Sequence, residues 1–299
     1  LQIAFAAAHA ISGWIGVVAV AAAAVATALG LLTRFLLREW QLNATLVAVL
    51  CALSLTAPHI LARPHILALP VMVAWIAALI RAVDTRSAPP WHLLPLMTLW
   101  TNLHGSFTFG LAMIAPIACE ALWRASPSAR PVVARQWLSF ALLALAAACL
   151  NPYGPEMILV TFRTVALGAA LTTVAEWRSQ DFTHLGGFEV IILGAFGFAL
   201  YRGVTLPWLR IVMLFGVLHL ALSQVRHADL LGMLAPIFLP GLWRNNSRRL
   251  LPPANFTHTS RSIDADSDDS DVGRSDRLAV AAQYRSIRQN YPNECNSIR

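Results

Sequence analysis

Hydrophobic and polar positions along this chain form long apolar blocks broken by short polar punctuation, not the alternation of half-buried strands. A membrane-spanning helix needs about 20 predominantly apolar residues. Blocks approaching that length lie at 13–33, 43–61, 65–82, 91–103, 106–123, 133–150, 187–202, 206–223 and 229–243. The pattern predicts an all-α fold, a polytopic transmembrane helix bundle of about nine spans over residues 1–243. The blocks 91–103 and 106–123 almost touch, so "NLHG" at 102–105 is expected to be a tight turn between two of them. "PEMILVTFRTVALGAALTTVAEW" at 155–177 is also apolar, and is expected as a surface or re-entrant helix on the outer side. After Trp243 the chain becomes polar, acidic and serine-rich ("RSIDADSDDSDVGRSD"), which predicts a disordered cytoplasmic tail over 244–299.

Composition agrees with the pattern. Of 299 residues, 57% are hydrophobic and 12% charged, where soluble domains carry roughly 25% charged residues. The formal charge of +7 comes from arginine alone, for the chain has no lysine. Basic residues between apolar blocks record topology, so nucleic acid is not an expected partner. If the first span runs from outside to inside, the inner loops and tail hold Arg34, Arg38, Arg81, Arg86, Arg124, Arg130, Arg135, Arg202, Arg210, Arg244, Arg248 and Arg249. The outer loops hold Arg63, Arg163, Arg178 and Arg226. That asymmetry is the reason for keeping 155–177 out of the span count, because a tenth crossing would destroy it. The four cysteines show no CxxC or Cys/His spacing, so neither a disulfide framework nor a metal site is expected of them.

With this topology the unusual polar residues gather on the outer side. "APHILARPHILALP" brings His59, Arg63 and His65; "NLHG" brings Asn102 and His104; "LNPYGPE" brings Asn151, Tyr153 and Glu156. "AEWRSQDFTH" adds Glu176, Trp177, Arg178 and Asp181, and "SQVRHADLL" adds Arg226, His227 and Asp229. Each also has a plain structural reading. "NPYG" is turn chemistry, "EW" an interfacial anchor, Arg226 a snorkelling cation, and His104 a C-terminal helix cap. The two histidines of the repeated "PHIL" stand six residues apart, about 240° around a helix, which excludes an i, i+4 metal pair. It is their convergence on one side that points to a site.

In order, "RPH" at 63–65, "LWTNLHGSFTFG" at 99–110, "LNPYG" at 150–154, "EW" at 176–177 and "RH" at 226–227 resemble a family of bacterial multi-pass GT-C glycosyltransferases, similar to the protein mannosyltransferase and aminoarabinose transferase group. The resemblance covers about residues 13–243. It implies residence in the bacterial inner membrane and a site facing the periplasm. There a sugar would pass from a polyprenyl-phosphate carrier, the donor substrate, to an acceptor. Membrane lipid and lipid-linked sugar are the implied partners. The cofactor is left open, a divalent metal being compatible, although no metal ligands stand out. The family's first outer loop normally carries an essential acidic residue. Because this sequence starts at Leu1 with no earlier span, the expectation is a chain lacking its first helix and that loop.

Such a transfer needs cations for the phosphate, a carboxylate for the acceptor proton and a surface for the sugar. Arg63 and Arg226 suit the first, because guanidinium forks onto phosphate oxygens. His104 and His227 could stabilise the leaving charge as hydrogen-bond donors. Glu176 is the candidate base, with His104 the second catalytic candidate. Trp177 and Tyr153 offer sugar contacts, and Asn102 and Asn151 complete the binding set. The competing reading is a transporter or flippase for a lipid-linked or anionic solute. Its site would be expected at the bilayer midplane between internal repeats, and this sequence has no such repeat.

Overall fold

A computed structural model of the chain describes residues 2–60, 64–166 and 177–239, whose regular structure is helical throughout. The order is α1 (Gln2–Leu36), α2 (Leu42–Thr56), α3 (Pro64–Asp84), α4 (Leu93–Leu103), α5 (Phe107–Ala112), α6 (Ile114–Arg124), α7 (Arg130–Ala148), α8 (Glu156–Ala166), α9 (Gly187–Arg202), α10 (Trp208–Ser223) and α11 (Ala228–Phe238). Arg63, Glu176 and the expected tail at 244–299, with its boundary, lie outside the described residues. So do residues 167–176 of the apolar stretch 155–177, whose first half forms α8.

Helices stand where the apolar blocks put them, but not all at spanning length. Five are long and apolar enough to cross a membrane: Ile3–Leu36, Leu42–His59, His65–Asp84, Phe107–Arg124 and Arg130–Ala148. By contrast α4 and α11 have 11 residues each, and α9 and α10 have 16. Eleven residues rise about 16 Å, against a hydrocarbon layer of about 30 Å. The expectation of nine spans is therefore met among the described residues by five. Turn chemistry sets the shorter lengths. Pro89 and Pro90 precede α4 and extended His104 ends it, while Pro207 precedes α10 and extended Gln224 ends it.

Two breaks inside apolar blocks have sequence causes. In α1, Ser12 leaves helical geometry and Gly13 takes φ 64°, a left-handed region that a residue with a Cβ avoids. The helix that follows starts where the 13–33 block begins. Between α5 and α6, Pro116 provides no N–H and its ring would clash with the carbonyl of Ala112, where α5 ends.

Helix α3 is the centre of the bundle, packed against α1, α4, α5, α6 and α11. Most of its circumference is buried and apolar, and a single stripe through Leu67, Pro70, Ala74 and Ala77 to Arg81 is partly exposed. Val73, Trp75, Ile76, Leu79 and Ile80 are fully buried along it. Around it α4 pairs with α7, and α2 with α11. The latter contact is close because Gly232 lies against Ala52 and Leu55. His65 and Asp84 mark opposite ends of α3, about 28 Å apart at the usual helical rise. Polar chemistry collects at both ends, in different forms.

Candidate functional site

At the His65 end of α3, "LWTNLHGSFTFG" has three separate jobs. The first is to close α7, whose last carbonyls have no partner within their own helix. Thr98, Thr101 and Asn102 share one face of α4 at helical spacing. Thr98 Oγ1 donates to the Ala147 carbonyl at 3.1 Å, Thr101 Oγ1 to Ala148 at 3.1 Å, and Asn102 Nδ2 to Leu150 at 3.0 Å and Thr98 at 2.7 Å. Asn102 therefore ties two helix ends together. Asn151 closes the following turn in the same manner, donating from Nδ2 to Ala148 and Gly154 and accepting the Tyr153 N–H on Oδ1.

The second job is to seat Trp100. Its buried ring lies on Gly110, where an added Cβ would overlap ring carbons. Trp75 packs edge-on to Trp100, ring centroids 6.3 Å apart, and donates from Nε1 to the Gly110 carbonyl at 3.0 Å. The third job concerns His104. Trp100 Nε1 donates to Ser106 Oγ at 3.0 Å, Ser106 Oγ lies 2.9 Å from His104 Nδ1, and the Ser106 backbone N–H donates to the same Nδ1 at 3.2 Å. The half-buried His104 ring stands 6.2 Å from His65, centroid to centroid. Burial, then the nearby His65 and Arg226, lower its pKa to about 4, so the ring is neutral near pH 7.

Arg226 is assembled by a second piece of local structure. The short segment after Trp177 pairs with the end of α10: the Val225 N–H donates to the Arg178 carbonyl at 2.9 Å and the Gln180 N–H to Leu222 at 3.1 Å. This brings the Arg226 guanidinium over the Trp177 ring at 3.7 Å from its centroid, a cation–π stack. Arg226 Nε donates to His227 Nε2 at 3.4 Å, and His227 Nδ1 faces the Leu220 carbonyl at 3.3 Å. A carbonyl only accepts, so His227 carries its proton on Nδ1 and uses Nε2 as the acceptor for Arg226. Burial and then Arg226 bring its pKa to about 4 as well, against the opposing effect of the Leu220 bond. His227, expected as a donor to a leaving group, has both ring nitrogens engaged, Nδ1 with the Leu220 carbonyl and Nε2 with Arg226. Asp229, buried at the start of α11, accepts the Leu230 N–H at 2.6 Å.

Comparison with protein-family models, curated proteins and solved structures gives no match.

The structure thus brings Trp177, Arg226, His227, His104 and His65 to one end of the bundle, while Arg63 and Glu176 belong to segments outside the described residues. Tyr153 is 70% exposed in the turn before α8, and Glu156 pairs with Arg163 at 3.3 Å on the surface of that helix. Among the described residues no group of three His, Cys, Asp or Glu side chains is arranged to hold a metal ion. Sequence reasoning missed Gln224, whose buried Oε1 has no hydrogen-bond partner among the described residues, and Ser106, whose role depends on a three-residue turn.

It also mistook Arg210. Expected as a loop charge, Arg210 is 1% exposed at the start of α10. Its Nε donates to both oxygens of Glu120, at 2.9 and 3.1 Å, and its Nη2 to Asp84 Oδ1 at 2.5 Å. Arg124 joins the cluster from the rim, 2.9 Å from Asp84 and 3.1 Å from Glu120. A carboxylate within an apolar block, here Glu120 in "IACEALWR", was the available signal, since such a group must find a cation.

Proposed function

We propose that this protein is a GT-C-type membrane glycosyltransferase that holds the phosphate of a polyprenyl-linked sugar at the Arg226 end of its bundle, facing the periplasm. The observation supporting this reading is Arg226 stacked on Trp177, with two neutral histidines around it. Stacking engages the face of a guanidinium, and phosphate recognition uses its N–H edge, so the two contacts are compatible on one side chain. Neutral histidines suit such a site because His104 can supply a hydrogen bond and His227 can orient Arg226 without drawing further counter-ions to it. In this reading nine crossings carry the chain, Arg63 is the second cation, Glu176 takes the acceptor proton, and Trp177 gives the sugar an aromatic edge. Gln224 Oε1, a buried acceptor beside Arg226 in sequence, suits a donor hydroxyl.

The test is titration of the purified protein in lipid nanodiscs with a short-chain polyprenyl phosphate, read by 31P NMR. Removing one member of a desolvated, hydrogen-bonded charge pair costs about 2–5 kcal/mol. Arg226→Ala is therefore expected to weaken binding by roughly 30-fold or more, with Arg226→Lys between it and the parent. Equal binding by the parent and Arg226→Ala refutes the proposal.

A further inference from the structure

We propose that Trp100 and Ser106 are positioning residues which fix the His104 ring as a neutral Nε2–H tautomer, making His104 a dedicated hydrogen-bond donor to the ligand rather than a base. The argument follows from which groups can donate. An indole N–H only donates, so the 3.0 Å contact from Trp100 Nε1 makes Ser106 Oγ an acceptor there. The hydroxyl proton of Ser106 is then available to the other neighbour, His104 Nδ1, at 2.9 Å. The Ser106 backbone N–H, which cannot turn round, aims at the same Nδ1 at 3.2 Å. Two donors converge on one ring nitrogen. A proton on Nδ1 would face both of them, so a neutral ring carries its proton on Nε2.

The same geometry opposes the imidazolium form, which needs protons on both nitrogens. The charged and titratable groups acting on the ring, His65 and Arg226, oppose it too. Nδ1 is the nitrogen held by the turn, so Nε2 is the one left with the proton. Gly110 is part of the device: it lets the Trp100 ring lie where its N–H reaches Ser106. His227 is set the opposite way, with its proton on Nδ1 and its lone pair toward Arg226. One histidine therefore presents a donor, and the other holds the cation.

The role of the donor rests on the proposed phosphate site; the tautomer does not, and the experiment separates them. Protein labelled with 15N-histidine in detergent micelles is measured at pH 7 by long-range 1H–15N correlation, with His104→Gln identifying the His104 signals. The expected pattern is the Nε2–H tautomer. Ser106→Ala should admit a measurable Nδ1–H population, and Ser106→Thr should restore the parent pattern. An Nδ1–H or imidazolium signal for His104 in the parent overturns the proposal, as does a Ser106→Ala spectrum identical to the parent's. In the polyprenyl phosphate titration, His104→Gln, whose amide N–H reaches the Nε2 position, should stay within about threefold of the parent. His104→Asn, whose amide reaches only the Nδ1 position, should bind about tenfold or more weakly, the usual cost of a lost bond to a charged group. Asn binding as well as Gln refutes the donor role. If no form binds while the tautomer pattern holds, the phosphate site and the donor role fail and the positioning of the ring stands.

Discussion

Replacing Arg210 by methionine should be among the most damaging single changes in this protein. The side chain removed donates to both oxygens of Glu120 and to Asp84, and both Arg210 and Glu120 are 1% exposed. Asp84 and Arg124 sit on the rim of the cluster, with side chains 26% and 36% exposed. Asp84 can therefore turn to water, whereas Glu120 retains Arg124 as its remaining cation. Breaking a buried pair by deleting one partner costs about 3–5 kcal/mol, mostly because the surviving charge stays buried. Arg124→Met removes a half-exposed partner and should cost about 1 kcal/mol or less. Arg210→Lys keeps a charge but offers one ammonium where the guanidinium spans two carboxylates, and should fall between them. The double variant Glu120→Met/Arg210→Met removes the stranded charge and should recover much of the loss, since an apolar replacement of a buried pair is often neutral. Equilibrium unfolding in mixed micelles, followed by tryptophan fluorescence, measures all four together with the single variant Glu120→Met. The reasoning is refuted if Arg210→Met costs no more than Arg124→Met, or if the double variant is as unstable as the sum of its two single changes.

The remaining predictions concern the opposite end and the topology. His104 and His227 titrate near 4 in the fold against an ordinary 6.5, so the unfolded chain takes up protons first on acidification. Their stabilising contribution is complete above about pH 6.5 and lost as pH falls toward 4, and a His104→Gln/His227→Gln variant should show a flatter decline in melting temperature over that window. Gly110→Ala drives a methyl group into the Trp100 ring and should destabilise by about 1–3 kcal/mol in the same unfolding assay, the usual cost of overpacking. Cysteines replacing Arg86 and Arg178 should react with impermeant maleimide from opposite faces of oriented vesicles; labelling from the same face would rule out the proposed orientation.

How much of this could be read in the sequence follows from what each element depends on. Helix positions depend on runs of apolar side chains, a local property, and α3 and α7 begin and end within about three residues of the blocks 65–82 and 133–150. Helix length was less legible, because it is set by caps and prolines. The block at 91–103 counts Trp91 and His92 as span, whereas the helix starts at Leu93. That His65, His104, Trp177, Arg226 and His227 share one end was also readable, because each was expected at the same side of the bundle. What a polar residue bonds to was not. Asn102 looked like a ligand contact, and it donates to the Leu150 carbonyl just past the end of α7, 48 residues away in sequence. Arg210 looked like a loop charge, and its partner Glu120 is 90 residues away. Pairings at that distance depend on which helices become neighbours, and no local pattern encodes it.

The two ends of the bundle solve the same physical problem in different ways. A charge removed from water must be neutralised or hydrogen-bonded. At the Asp84 end two carboxylates, Asp84 and Glu120, pair with two guanidinium groups, Arg124 and Arg210. At the His65 end polarity is supplied by histidines kept neutral, around an arginine carried on an aromatic face. Deprotonated imidazoles lower the desolvation cost of closing that end. They also leave its electrostatics resting on Arg226 more than on the rings. The cluster bridges α3, α6 and α10. Arg210 and Arg226 lie at the two ends of α10, so a variant that loosens the Asp84 end should also broaden the His104 and His227 signals, although neither ring touches the mutated residue.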